Sequence, residues 1–155
     1  MAKIIKPPQS FKKKDLKNIK SVFLAGSIEM GVAEKWQEKV ENILNNKNII
    51  ILNPRRDEWD STWSQDIKNT LFREQVEWEL KALEMADIII MYFSPQTQSP
   101  VSLLEFGLYA RSNKLIVCCP EGFWKKGNID IVCKKYQIKQ VESIEMLINE
   151  VKSLI

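Results

Sequence analysis

Residues 21–25, with the sequence SVFLA, form a short apolar run that stops at Gly26. A run of this length that ends at a glycine is typical of a buried parallel strand leading into a loop. Similar apolar runs predict further strands at residues 49–52, 88–93, 115–119 and, more weakly, 137–141. Between these runs the apolar residues recur at helical spacing, which predicts helices over residues 32–45, 71–86, 101–112 and 143–154.

The alternation of strands and helices predicts an α/β protein with helices on both faces of a parallel sheet. We expect a flavodoxin-like (Rossmann-like) three-layer fold, with a four- to five-stranded sheet and right-handed crossovers. Residues 1–20 are basic, contain Pro7 and Pro8 and lack a steady period, so we expect a leader outside the core and a domain over residues 21–155. Ligands of such sheets bind beyond the carboxyl ends of the strands, which selects the loops after residues 25, 52, 93 and 119.

Histidine is absent from the 155 residues. Its absence excludes Ser-His and Cys-His nucleophile pairs, histidine general bases and nearly all catalytic zinc sites. We therefore expect no metal and no cofactor. Acid–base or covalent chemistry in this chain must use carboxylates, a lysine, a tyrosine or an assembled backbone site.

The charge and the cysteines bear on partners and location. The net charge of +3 is too small to argue for nucleic acid, and we read the basic residues as a solvated leader. Seven of them lie in the first twenty residues: Lys3, Lys6, Lys12, Lys13, Lys14, Lys17 and Lys20. No apolar run approaches the ~20 residues that span a bilayer, so we expect no membrane segment. The three cysteines lack disulfide or zinc spacing, which indicates a reduced, cytoplasmic setting.

The first two loops offer candidate binding residues. Gly26 and Ser27 follow the first strand, and small residues there let a ligand approach the backbone and the next helix N-terminus. The loop lacks the second glycine of a dinucleotide fingerprint and the ending of a Walker loop, and a tight turn is the alternative reading. In the second loop Asn53, Arg55, Arg56 and Asp60 lie together, and adjacent arginines suit a phosphate or carboxylate. Surface ion pairs are the alternative there.

Two glutamates are candidates for chemistry. Glu105 lies between Leu104 and Phe106 in an apolar helix start beside the expected ligand crevice. Burying a charge in that setting is costly unless the charge has a partner or a function. Glu105 therefore either forms an ion pair or caps backbone donors, or it acts as a carboxylate nucleophile. Glu79 is flanked by Trp78 and Leu80, and a carboxyl beside a large aromatic could have a raised pKa and act as an acid.

Several strings resemble the nucleoside 2-deoxyribosyltransferase superfamily. They are FLAGS at residues 23–27, AD at 86–87 and LLEFGLYA at 103–110. Four others look more like its divergent deoxyribosyltransferase-like branch: NPRR at 53–56, QVEWEL at 75–80, SPVSLLE at 99–105 and GNID at 127–130. The likeness covers roughly residues 22–133.

The resemblance implies a flavodoxin-like fold and a double displacement at C1′ of a (deoxy)nucleoside or nucleotide. Glu105 matches the nucleophilic glutamate of that family. Glu79 falls where the family places an acid that contacts the base, so it is our candidate proton donor. Asn128 lies in a segment that resembles the one completing a neighbouring subunit's pocket, which implies a homo-oligomer, a dimer or larger.

The chain departs from the family pattern at two positions. Ser99 lies near the place of an aspartate that holds the sugar hydroxyls, and it could hydrogen-bond there without a charge. Glu29 stands where the nucleotide-hydrolysing branch carries an arginine, although Arg55 or Arg56 could supply a positive charge from the next loop. Three alternatives to base transfer stay open: hydrolysis of a nucleoside 5′-monophosphate, a non-catalytic nucleotide-binding or sensing domain, and a nucleic-acid module using the basic leader.

Overall fold

The computed structural model describes residues 1–28, 33–56 and 62–155. Across these residues the strands are β1 (Lys3–Ile5), β2 (Ser21–Gly26), β3 (Ile50–Leu52), β4 (Ile88–Tyr92), β5 (Leu115–Cys118) and β6 (Lys139–Val141). The α-helices are α1 (Trp36–Leu44), α2 (Thr70–Met85), α3 (Pro100–Tyr109), α4 (Lys126–Tyr136) and α5 (Ile144–Ser153). A short 3₁₀ helix covers Lys13–Leu16. No helix in the described ranges is long and apolar enough to cross a membrane.

All neighbouring strands of the sheet run parallel, in the order β1-β3-β2-β4-β5-β6. The chain moves outward in one direction from β2 to β3 and in the other from β4 to β6. The switch in strand order therefore lies between β2 and β4, where Phe23 is in register with Ile89. This topology confirms the flavodoxin-like prediction and places the ligand crevice beyond the ends of β2 and β4.

The sheet is buried on both faces because alternate strand residues point to opposite sides. Phe23 and Met91 belong to one apolar cluster, which α2, α3 and α4 cover. Leu24 and Ile90 belong to the other, which α1 and α5 cover. Continuous apolar runs such as residues 88–93 therefore serve two cores at once, and the expected three layers are confirmed.

The expectation that residues 1–20 lie outside the core is wrong. β1 pairs in parallel with β3, and this adds a sixth strand within the described residues to the four or five expected. Phe11 is 2% exposed and packs edge-on against Trp78, with ring centroids 5.5 Å apart. The Trp78 indole N–H donates to the Gln9 carbonyl oxygen at 2.8 Å. The buried residues of this segment are Ile5, Pro7, Phe11 and Leu16. Because their spacing is irregular and polar residues separate them, the segment shows no period from which its packing could be predicted.

α4 is also absent from the sequence prediction. Its buried residues are Ile129 and Cys133, one turn apart, and the rest of the helix is largely polar. Two buried residues are too few to set a helical period in a short window. The residue after the helix, Gln137, is its C-cap and takes a left-handed backbone conformation with φ 56°.

We predict that Phe11→Ala lowers the free energy of unfolding by about 3 kcal/mol, because it removes a buried aromatic ring and leaves a cavity. Urea denaturation followed by tryptophan fluorescence measures the change. Lys13→Ala, at an exposed position of the same segment, is the control and should change stability little. Equal stability of the two variants would show that residues 1–20 do not pack on the domain.

Candidate active site

The ends of β2 and β4 meet at a position that accepts only glycine. Gly26 has φ +124°, and a Cβ atom built there would lie 2.3 Å from the carbonyl oxygen of Tyr92. A side chain is excluded by that backbone contact and by the positive φ. The next residue, Ser27, donates its N–H to the same Tyr92 oxygen at 2.9 Å. The first loop is thereby held against the end of β4.

Three buried hydroxyl groups join this loop to the start of α3. Ser27 Oγ lies 2.9 Å from Thr97 Oγ1 and 2.7 Å from Ser99 Oγ, and the last two oxygens are 2.6 Å apart. Ser27 Oγ also accepts the N–H of Ser94 at 2.8 Å. Ser99 is the N-cap of α3 and has a left-handed φ of 47°. The hydroxyl cluster therefore fixes where α3 begins, and with it the direction in which Glu105 projects.

Glu105 lies on the buried side of α3 and is 8% exposed. Burial raises the pKa of its carboxyl to about 8, and the charge of Glu79 adds to that rise. Its neighbour Phe106 packs edge-on against Phe93, with ring centroids 6.0 Å apart. The charged form of the carboxyl is therefore poorly solvated beside this apolar packing.

Glu79 reaches the same region from α2. Burial raises its pKa to about 7, and a hydrogen bond from Gln75 opposes part of that rise. In this bond Gln75 Nε2 donates to Glu79 Oε1 at 2.8 Å. Within residues 1–28, 33–56 and 62–155, no lysine or arginine forms an ion pair with either carboxyl.

Two interacting carboxyls lose their protons in two ionisation steps that belong to the pair as a whole. Neither step can be assigned to Glu79 or Glu105 alone. Because each negative charge disfavours the other, the pair can hold one proton and one negative charge between its two ionisation steps. Such a site contains a nucleophile or base together with an acid, without any histidine. This is the chemistry that the arrangement can support.

The second loop is tied to the first through Gln37. Arg55 Nη1 donates to Gln37 Oε1 at 3.2 Å, and Gln37 Nε2 donates to the Ser27 carbonyl oxygen at 3.5 Å. Asn53 Oδ1 accepts the N–H of Arg55 at 2.9 Å, while its Nδ2 donates to Glu41 at 2.6 Å. The guanidinium of Arg55 therefore lies at the strand edge that carries Ser27.

The candidate residues from the sequence occupy different places. Gly26, Ser27, Asn53 and Ser99 gather at the carboxyl ends of the strands. Arg56 lies over the Trp63 ring, 5.3 Å from its centroid. Asp60, like Glu29, falls outside the described residues.

Asn128 is exposed in the first turn of α4. The segment before that helix reaches the loop ahead of α3, because the Trp124 indole N–H donates to the Gln98 carbonyl oxygen at 2.9 Å. Asn128 itself is on the surface and belongs to none of the contacts that hold the carboxyl pair.

Three contacts of the site involve residues that sequence reasoning did not select. Thr97 completes the hydroxyl cluster, Gln37 bridges the first two loops, and Gln75 holds Glu79. Gln37 and Gln75 are buried amides on helices otherwise rich in charge, but in the sequence they stand among other polar residues and their burial is not apparent. Thr97 is one small polar residue in a polar loop, and nothing in the sequence marks it.

Two open cavities lie at the opposite edge of the sheet, near the amino ends of the strands. One measures about 450 Å³ and is lined by residues that include Lys20, Asp87 and Lys114. The other measures about 380 Å³ and includes Lys47 and Lys152. Neither contains Glu79 or Glu105, so we assign the site from the carboxyl pair and the strand topology.

The fold and the site define a class of flavodoxin-like α/β proteins in which two helices on one face of the sheet carry a pair of interacting carboxyls. Within that class the chain belongs to the nucleoside 2-deoxyribosyltransferase-like family, whose model matches residues 19–123, more than half of its length. This membership confirms the suspected resemblance and indicates a nucleoside-related function. No curated protein matches the chain.

A solved structure supports the fold. The chain is similar to the crystal structure of a conserved protein from Enterococcus faecalis V583, with a TM-score of 0.62 and 14% sequence identity. The similarity covers 88% of this chain and 99% of that one. At that identity the likeness concerns the architecture alone.

We predict that the carboxyl pair destabilises the fold as the pH rises. A carboxyl whose pKa is raised on folding contributes stability below its unfolded pKa and loses it as the pH passes through the folded value. Glu105→Gln cannot ionise, so the wild-type protein should lose thermal stability relative to this variant between about pH 5 and about pH 9. Melting temperatures measured across that range test this, and parallel curves for the two proteins would contradict a raised pKa of Glu105.

Proposed function

We propose that this chain cleaves the N-glycosidic bond of a (deoxy)nucleoside or its phosphate, with Glu105 as the nucleophile. The observation that carries the proposal is the pair of carboxyls with raised pKa in a histidine-free chain. Membership in a deoxyribosyltransferase-like family supports the choice of substrate class.

The first step transfers the sugar to the protein. Glu105 attacks C1′ as the bond from C1′ to the base nitrogen breaks, and the electron pair of that bond stays on the base. Glu79 gives its proton to the base, which leaves as a neutral molecule, and the sugar remains as an ester of Glu105. The transition state resembles an oxocarbenium ion, so the negative charge of Glu105 also stabilises the developing positive charge.

The second step releases the sugar. A second base or a water molecule attacks C1′, the ester bond breaks, and Glu105 leaves as a carboxylate. Glu79 takes up the proton that the incoming group loses. Two displacements at one carbon retain its configuration. If a second base attacks, the protein is a transferase, and if water attacks, it is a hydrolase.

The loops beyond the strands supply the proposed substrate contacts. Gly26 lets the ligand approach the backbone, and Ser27, Ser99 and Asn53 offer polar groups at the same edge. In this proposal Asp60 is a further substrate-binding residue. Asn128 is exposed, and we propose that it completes the pocket of a neighbouring subunit in a homo-oligomer.

Hydrolysis of a nucleoside 5′-monophosphate is the second candidate, and the arginines favour it. Arg55 is held toward the first loop through Gln37, and a guanidinium there suits a phosphate group. Chromatography of a deoxynucleoside reaction, with and without an acceptor base, separates the two candidates. Free base formed without acceptor marks a hydrolase, and faster turnover of the 5′-monophosphate marks a nucleotide substrate.

We predict that Glu105→Gln lowers kcat by at least about a thousandfold while the fold persists, because the variant has no nucleophile. Release of free base measures turnover, and circular dichroism checks the fold. Glu77→Gln is the matched control, since Glu77 is an exposed carboxyl of α2 that pairs with Arg73 at 3.8 Å. Undiminished turnover of Glu105→Gln contradicts the assignment. Tight nucleotide binding without turnover by the wild-type protein would instead indicate a binding or sensing domain.

A further inference from the structure

Gln75 combines two hydrogen bonds with one unsatisfied atom. It lies one helical turn before Glu79 on α2 and is 4% exposed. Its Nε2 donates to Glu79 Oε1 at 2.8 Å and to the Pro54 carbonyl oxygen at 3.0 Å, so both N–H bonds of the amide are used. Its Oε1 is buried without a hydrogen-bond partner in the described structure.

The unsatisfied oxygen means that burying this amide has a cost in folding free energy as well as a gain. A buried acceptor without a partner costs folding free energy. Exchanging the two ends of the amide would not help, because Oε1 would then face the carbonyl oxygen of Pro54. An apolar side chain at this position would remove that cost but would also take away both donors, from the Pro54 carbonyl oxygen and from Glu79. What Gln75 contributes is therefore these two donated bonds.

From this geometry we infer that Gln75 is a positioning residue for the proposed proton donor, holding the Glu79 carboxyl in place and stabilising the carboxylate that remains when Glu79 protonates the departing base. The inference rests on the proposed function and adds a residue to it. The bond to Pro54 also ties Glu79 to the second loop, which carries Asn53 and Arg55.

The bond to Glu79 becomes stronger during the proposed reaction. Glu79 changes from a neutral acid to an anion as its proton moves to the base, and a hydrogen bond to an anion is stronger than one to a neutral group. An interaction that strengthens along the reaction lowers the barrier.

The charges around Glu79 make this bond necessary. The titratable group that faces Glu79 from α3 is Glu105. A negative charge on Glu105 disfavours a second negative charge on Glu79. Burial raises the pKa of Tyr109 on α3, and the negative charges of Glu84 and Glu105 add to that rise. Within the part of the chain that the structure describes, the Glu79 carboxylate has no ion pair and is stabilised by the Gln75 donor.

The inference gives Gln75 a signature that a purely structural role lacks. Glu79 must be protonated to act, so activity falls as the pH rises through its pKa. Without the Gln75 bond the carboxylate is less stable and the pKa of Glu79 rises, which moves this upper limb of the pH profile to higher pH. The loss should also depend on the leaving base, because an N7-methylated purine already carries a positive charge and departs without a proton.

Gln75→Leu and the control Gln140→Leu test the inference. Gln140 is an exposed amide that donates to Asp130 at 2.9 Å, remote from the site. For Gln75→Leu we expect kcat/KM on a purine deoxynucleoside to fall about 10- to 100-fold, which is part of the roughly 100- to 10,000-fold that general acid catalysis contributes. On the N7-methylated analogue kcat/KM should fall less than about threefold. The upper limb of the pH profile for the purine deoxynucleoside should move to higher pH. Equal losses on both substrates with an unmoved limb would overturn the inference and leave Gln75 a structural role.

A second variant and a second measurement keep the test independent of folding and turnover. Gln75→Asn keeps the amide but is one methylene too short to reach Glu79, and it should show the same changes as Gln75→Leu. The titration of Glu79, followed by carbon-13 NMR, should have a higher midpoint in both variants. An unchanged midpoint overturns the inference. Absence of N-glycosidic activity in the wild-type protein would count against the proposed function, whatever the titration shows.

Discussion

Among the described residues, two carboxyl groups are largely removed from solvent without a cation to pair with, and the site depends on this constraint. Glu79 and Glu105 come from different helices, and burial raises the pKa of both into the neutral range. The two helices α2 and α3 pack on the same face of the sheet, so the carboxyls that they carry lie close enough for Glu79 to raise the pKa of Glu105. The hydroxyl cluster sets the start of α3, and Gln75 holds the end of the Glu79 side chain.

Much of the fold could be predicted from the sequence because parallel strands are buried on both faces. Continuous apolar runs such as residues 21–25 and 88–93 are typical of these strands, and their short length sets them apart from membrane-spanning helices. The N-terminal strand could not be predicted, since Ile5 and Phe11 reach the core from a polar segment whose packing depends on Trp78 and β3. Such contacts join residues far apart in sequence and leave no local pattern.

The candidate site was predictable in part. Glu105 stands out because a carboxylate in an apolar helix start is costly to bury without a partner or a use. The hydroxyl of Thr97 and the amides of Gln37 and Gln75 were missed, because each has a partner ten or more residues away in the sequence: Ser27, Ser27 and Pro54, respectively. The sequence can indicate which residue is costly to bury, but the groups that hold it in place become visible only when the helices are packed.

The proposed role of Glu105 is tested most directly by trapping the intermediate. A 2-fluoro-2-deoxy nucleoside slows the second displacement because fluorine destabilises the oxocarbenium-like transition state, so a sugar ester should accumulate. Mass spectrometry of the intact protein and of its peptides should then find one added sugar on the peptide that contains Glu105, and none in Glu105→Gln. Turnover of the parent substrate without any such adduct, or an adduct on another residue, would contradict the account.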